Sequence, residues 1–450
     1  MNVRVKLLNN NPLRPQAKYV LYWAQMNRRV ESNHALAHAV ELANQLQLPV
    51  LFYEGLMFNY PYANDRFHTF LLEGVPHTEK KCHKLGLGYF FYLRKNAECP
   101  NDMLYRLAAD AAAVVTDDYP VFVAPKHNQS VPRRIGIPYY VVDSSCIVPM
   151  QLFDKREYAA YTIRPKIKRV LDQYLQPVER WKVNVPFRLP LPVQEGPGTA
   201  AECAIDHSVP ASLTFQGGRK AAEKQLEEFL LENLRRYARE SNQPAGRATS
   251  GLSPYLHFGH ISSLEAALAV KEYAAEYKLM ADDFLEQLIV RRELAFNFAR
   301  FATNPESIGN LPDWALKTLT KHASDIRSPI YTREQFEQAA THDALWNATQ
   351  QELLLTGKTH GYYRMYWGKK IIEWSRTAEE ALATMIYLHD RYALDGRDPN
   401  TYTNILWCFG LHDRPWTERA IFGMVRYMTL DGMKRKTDVP AYIRQIEELR

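Results

Sequence analysis

No stretch of this 450-residue chain is apolar for long enough to span a bilayer. The opening residues, MNVRVKLLNNNPLRPQ, contain no apolar signal core, so a cytoplasmic protein with no membrane partner is the expectation. Cysteine is scarce and scattered: Cys82, Cys99, Cys146, Cys203 and Cys408 form no CxxC pair. The spacing excludes a zinc ribbon or other metal site of that kind, and the odd count argues against a disulfide frame. Glycine-rich phosphate loops are missing too. Neither GxGxxG nor a Walker loop occurs, which removes support for a standard dinucleotide or nucleoside triphosphate site. Internal repeats and low-complexity tracts are also lacking. Charge is nearly balanced, and a net +6 permits a polyanionic partner without demanding one.

What the chain does hold is rings. Aromatics make up 12% of residues, with 27 tyrosines and 8 tryptophans, enough to stack on flat ligands or to fill a large helical core. For about 150 residues short apolar strands alternate with helical patterns: YVLYWAQMNR, then NHALAHAVELANQLQL with Asn33 as its N-cap, then LPVLFYEGL. NDRFHTFLLEGVPHTEKKCHKLG, LGYFFYLR, CPNDMLYRLAADA, AAVVTDDYPVF and IPYYVVDSSCIVP continue the alternation. That is the pattern of a doubly wound α/β domain on a parallel sheet, assigned to residues 1–155. A proline-rich stretch without periodicity follows, and residues 156–218 are assigned to an interdomain linker. Residues 219–450 are almost wholly helical in pattern and form an all-α domain.

Two stretches of the helical part carry chemistry. GKTHGYYRMYWGKKIIEWSR, residues 357–376, has helical periodicity with aromatic rings where leucines are usual. Tyr363 and Trp367 share a helix face, and Trp374 lies two turns beyond Trp367, a rise of roughly 10 Å. Such a row is either core packing or a path for electrons. AGRATSGLSPYLHFGHIS places Thr249, Ser250, Gly251 and Ser253 just ahead of a helix opened by Pro254, an arrangement that cradles anions or simply caps a helix.

LSPYLHFG resembles a signature of the photolyase and cryptochrome family. EYAAYTIRPKI, HDALWNATQQELLLTGKTHGYYRMYWGKKIIEW, LDGRDPNTYTNILW and HDRPW are similar, in this order, to class II cyclobutane pyrimidine dimer photolyases over nearly the whole chain. The resemblance implies a light-driven lyase that repairs pyrimidine dimers in DNA with FAD in its reduced anionic form. It also implies a helical domain that holds both cofactor and lesion, a monomeric state, and residence on the nucleoid when DNA is bound. Tyr237, Thr249, Ser250, Gly251, Leu252 and Ser253 match residues that hold the FAD phosphates and ribityl chain. Arg364 and Asp395, with Gly396 beside it, match an ion pair at the isoalloxazine. Glu286 matches a buried glutamate that stays protonated and donates a hydrogen bond to the dimer. Met365 and Trp407 match apolar walls of the lesion pocket. Trp346, Trp367 and Trp374 match the tryptophan chain that reduces the flavin under light. Arg291, Arg292, Arg414 and the Lys434–Lys436 cluster are expected to grip phosphates.

The match departs from the family in several places. His389 stands where relatives carry an asparagine against flavin N5, and an imidazole titrating near neutral pH would alter which flavin redox states persist and how they depend on pH. Val290, His34 and Thr359 replace residues that relatives often carry as Trp, Trp and Met. An antenna chromophore, a deazaflavin or a folate, is implied by the family, but no pattern marks its site. The alternative is a cryptochrome-like blue-light photoreceptor without repair activity. His389 favours it, and the lack of a long signalling tail after Arg450 counts against it.

Overall fold

A computed structural model describes residues 2–192 and 196–450. Six strands form one sheet: β1 (Val5–Leu7), β2 (Tyr19–Trp23), β3 (Val50–Met57), β4 (Gly88–Arg94), β5 (Ala111–Asp117) and β6 (Tyr139–Val142), in the order β1-β6-β5-β2-β3-β4. β2 and β5 are buried along their whole length, as the near-continuous apolar runs of strands covered on both faces require. All pairs are parallel except one. β1 runs antiparallel to β6, with Val5 opposite Val142 and Leu7 opposite Tyr140. Three residues in a polar opening segment carry no periodicity, so this edge strand was not legible in the sequence. The helix His34–Leu46 is capped as expected, with the Asn33 side chain accepting from the backbone N–H of Ala35 and Leu36.

Strand order reverses between β2 and β5, and open α/β sheets place their clefts at such a point. A cleft of about 480 Å³ opens there, lined by Trp23 at the end of β2, Tyr53 and Met57 of β3, Phe122, and His257 and Arg397 from the helical part. The helix Ala160–Tyr174 stands within the segment assigned to the linker and buries Ile163 and Ile167. The stretch without long regular elements therefore begins after Tyr174. Beyond it, Arg219–Glu228 and Leu234–Glu240 are joined by a π turn, Phe229–Asn233. A second π turn, Glu286–Arg291, joins Asp282–Leu285 to Arg292–Phe301. Such turns frequently mark functional sites, because the extra residue re-aims the side chains around it. Among the described residues, no helix is long and apolar enough to cross a membrane.

Buried polar contacts lock the two parts together. Arg66 donates to the carbonyls of Leu353 (3.0 Å) and Tyr392 (2.9 Å), and the Tyr119 hydroxyl donates to Asp398 (2.6 Å). Arg292 donates to the Ser145 carbonyl (2.9 Å), while its neighbour Glu293 accepts from the backbone N–H of Ile147 (2.6 Å) and Val148 (3.0 Å). Burial pushes the Glu293 carboxyl up to about 8 even though those two N–H donors oppose the shift. A raised carboxyl contributes its full stability below the ordinary carboxylate range and loses it as pH climbs through about 8. Glu293→Gln keeps an acceptor for both donors and has no charge to bury. Between pH 5 and 8.5, urea unfolding is expected to show wild-type stability falling by about 4 kcal/mol more than that of the variant.

Candidate functional site

A cavity of about 550 Å³ opens in the helical part. Its lining draws on five separate helices and one loop: Tyr237, Thr249, Glu286, Arg364, His389 and Trp407 are among its walls. The helix Gly361–Trp374 supplies most of one side. It starts where the His360 ring accepts from the Tyr362 backbone N–H, and it turns Arg364, Met365 and Trp367 toward the cavity.

Behind Arg364 lies the electrostatic centre of the site. Asp395, buried in the turn after the helix Ala378–Tyr392, pairs with Arg364 at 3.2 Å and Lys358 at 3.4 Å, and accepts from the Ser253 hydroxyl at 2.6 Å. Burial opposes ionisation of Asp395, but the Arg364 guanidinium and then Lys358 outweigh it and hold the carboxyl well below the usual range. Arg364 also donates to the Thr359 hydroxyl at 2.9 Å, which gives Thr359 its function of aiming the guanidinium. Arg364 and Lys358 thus converge on one buried carboxylate beside the cavity. His389 lines the same cavity at 2% exposure, and its Nδ1 has no partner among the described residues. Burial, then Arg364, pushes its imidazole down to about 3. His389 is therefore neutral at physiological pH, and the titrating residue expected there is corrected: a buried ring beside a guanidinium does not take up a second charge.

The rings of 357–376 resolve into an ordered row. Trp367 forms cavity wall, Trp346 of the neighbouring helix stacks on it at 6.3 Å and 5°, and Trp374 meets Trp346 at 6.2 Å and 64°. The middle ring thus comes from the helix Ala344–Thr356. Trp346 Nε1–H donates to the Trp367 carbonyl (3.0 Å), and Trp367 Nε1–H donates to Gln350 (2.9 Å). The row ends at exposed His342, 4.9 Å from Trp374. Tyr363 is not part of it. Its ring packs on Tyr442 at 4.6 Å and its hydroxyl bonds Thr437, so the shared face with Trp367 serves a helix contact.

At the cavity rim, Glu286 departs from expectation. Its side chain is 25% exposed and accepts from both Nε (3.1 Å) and an Nη (2.7 Å) of Arg164. The carboxyl is thus partly exposed and held in a bidentate pair with Arg164, where a buried group free to meet a base was expected. Arg291 lies 3.5 Å from the same carboxylate, with its guanidinium 5.5 Å from the centre of the Trp407 ring.

A DNA photolyase family model matches residues 20–184. Over 99% of this chain and 98% of its own length, the deoxyribodipyrimidine photo-lyase of Methanothermobacter thermautotrophicus is 41% identical. The deoxyribodipyrimidine photo-lyase of Oryza sativa subsp. japonica is 39% identical over 96% of this chain and 88% of its own. The chain belongs to the DNA photolyase family. A bacterial class III photolyase from Agrobacterium tumefaciens shares the fold with a TM-score of 0.73 at 17% identity, covering 96% of this chain and 87% of that one.

In this photolyase the expected site residues divide. Tyr237, Thr249, Glu286, Arg364, Met365, Trp367, His389 and Trp407 line one cavity. Ser253 and Asp395 sit one step behind Arg364, and Gly396 follows at a point where a Cβ would lie 2.7 Å from the His389 carbonyl. Gly251 has a φ of +66 with Gln225 against it, and Leu252 is buried in the apolar core. Ser250 accepts from the Leu252 backbone N–H at 3.4 Å, a local turn contact. Arg292 is corrected: it is buried, donates to Ser145 and lies 4.3 Å from the Phe296 ring, so it belongs to the junction between the two parts. Arg414 is exposed over Trp416, outside the cavity lining. Lys434, Arg435 and Lys436 are exposed in the last turn of the helix Leu430–Lys436. Val290 is buried core. His34 is mostly buried in the α/β part, where burial pushes its ring down to about 3. Sequence reasoning missed Lys358, Gln350 and Arg164; all three lay in quoted motifs, Arg164 in EYAAYTIRPKI and the other two in HDALWNATQQELLLTGKTHGYYRMYWGKKIIEW, with no role read from them.

Asp395→Asn leaves two cations facing a neutral amide. It is expected to cost roughly 3 kcal/mol in urea unfolding at pH 7. Because the Asp395 carboxyl is depressed, its contribution is present at neutral pH and lost as pH falls through the acid range. The gap between variant and wild type should therefore close on acidification.

Proposed function

We propose that this chain is a class II cyclobutane pyrimidine dimer photolyase that repairs DNA under blue light with FAD. One observation carries the reading: residues matched to the cofactor (Tyr237, Thr249, Arg364, His389) and residues matched to the lesion (Glu286, Met365, Trp407) line a single cavity. The donor set fits the cofactor. Buried His389, whose Nδ1 has no partner among the described residues, lines the cavity with Arg364, Thr249 and Tyr237, and Asp395 pairs with that arginine behind it. When bound, reduced anionic FAD would supply the excited-state electron that opens the cyclobutane ring.

The chain's own residues position and insulate that chemistry. Arg364, kept charged and aimed by Asp395 and Thr359, favours negative charge in the cavity. Neutral His389 offers one ring nitrogen to a hydrogen bond and adds no second cation. Trp407 and Met365 give flat, polarisable surface to bases turned out of the duplex, a step that costs a few kcal/mol and less at a lesion. Trp374, Trp346 and Trp367 carry electrons inward from the surface at His342. The cleft at the sheet's switch point, with Trp23, Tyr53 and Phe122 in its walls, suits a flat antenna chromophore of the deazaflavin or folate kind.

The reading is tested by anaerobic blue-light turnover of a defined thymine dimer oligonucleotide with the flavin chemically reduced. Loss of the dimer only under light is the expected result. Flavin photoreduction without dimer loss would move the chain to a photoreceptor role. Trp346→Phe should slow photoreduction of oxidised flavin by at least about tenfold, equal to ~1.4 kcal/mol of barrier, while pre-reduced enzyme still repairs. Because the His389 ring stays neutral, His389→Asn should leave the shape of the repair pH profile unchanged between about pH 5 and 9.

A further inference from the structure

Glu286 and Trp407 face the cavity, yet the group that holds Glu286 comes from the other end of the chain's fold. Arg164 lies in the helix Ala160–Tyr174, 122 residues away in sequence, and grips the carboxylate through two nitrogens. Arg291 approaches the same oxygen at 3.5 Å without a hydrogen bond and spreads over the Trp407 ring. Two guanidinium groups thus share one carboxylate at a partly exposed rim. A carboxylate engaged on both oxygens can only accept, and it accepts from Arg164; it has no proton to donate to a base carbonyl. A phosphodiester matches the same planar fork as the carboxylate, so it competes for Arg164 directly.

We propose that Arg164 is a positioning residue that changes partners. Without DNA it holds Glu286 on the rim; when a strand enters, a backbone phosphate takes Arg164, and the freed carboxyl turns to the base in the cavity. The inference rests on the reading of Glu286 as the group that meets the lesion. It assigns a role to EYAAYTIRPKI and explains why an acidic side chain stands at the mouth of a DNA-binding cavity. The Glu286–Arg164 pair screens that mouth against undamaged strands, because each phosphate contact there must first break an ion pair.

The test is a double-mutant cycle on binding, measured by fluorescence anisotropy over a potassium chloride series. It compares wild type, Arg164→Gln, Glu286→Gln and the double variant on undamaged and thymine-dimer single strands. Arg164→Gln should lower the slope of log affinity against log salt by about 0.7, the loss of one phosphate contact on a single strand. Arg164→Lys should restore most of that slope, since one charge remains for the phosphate. Glu286→Gln should tighten undamaged DNA by about threefold in the wild-type background and by much less beside Arg164→Gln, because only a released Arg164 converts the change into affinity. Equal tightening in both backgrounds would reveal a general charge effect and overturn the exchange, as would an unchanged salt slope. Undamaged DNA reports on the exchange with no photochemistry, so its failure is separable from failure of the repair reading, which the light-dependent loss of dimer decides alone.

Discussion

One buried carboxylate organises the helical half of this protein. Asp395 is ionised in a place where burial disfavours ionisation, and it stays so because Arg364, Lys358 and the Ser253 hydroxyl converge on it. Those partners come from three different segments: the start of the helix Ser253–His257, the turn after Ala344–Thr356, and the helix Gly361–Trp374. Each is pinned to the others through one charge. The aim of Arg364 into the cavity follows from that arrangement, while His389 is kept neutral first by burial and then by Arg364. A buried ion pair is not by itself a source of stability, but removing one member strands the other, which ties the site's geometry to the integrity of the fold.

Around that centre the protein separates two kinds of contact. The row Trp367, Trp346 and Trp374 is dry, with every ring almost fully buried and the two inner indole N–H groups bonded. The rim of Glu286, Arg164 and Arg291 is half open to solvent and held by charge. Dry rings at close spacing suit electrons, which need order and a low-polarity path. A wet, charged rim suits a polyanion whose arrival exchanges ion pairs. The π turn Glu286–Arg291 is the local device that brings Glu286 and Arg291 to the same edge.

Legibility followed the range of the interaction. Alternating strands and helices were visible because period and capping are local properties, as Asn33 at the head of His34–Leu46 illustrates. β1 was invisible because three residues hold no period. Family motifs named Arg364 and Asp395, thirty-one positions apart, as a pair, and the structure brings them to 3.2 Å. They did not name Lys358 as the third member, since nothing in TGKTHG marks a lysine for burial. Arg292 and Arg291 look alike in RRELAF, yet one faces Ser145 in the junction and the other faces Trp407. Only the packed helix decides which face is which.

The sequence by itself determined the two-part architecture, the helix that carries the rings, and the family, because these rest on periodicity and on motifs many residues long. Tertiary structure alone decided that Trp346 is the middle ring, that His389 is neutral and that Glu286 is paired with Arg164. Each of these depends on a neighbour supplied from elsewhere in the chain, and on how much water the packing of both leaves between them. Charge state and ring order are properties of an environment, and an environment exists only once the chain has closed around it.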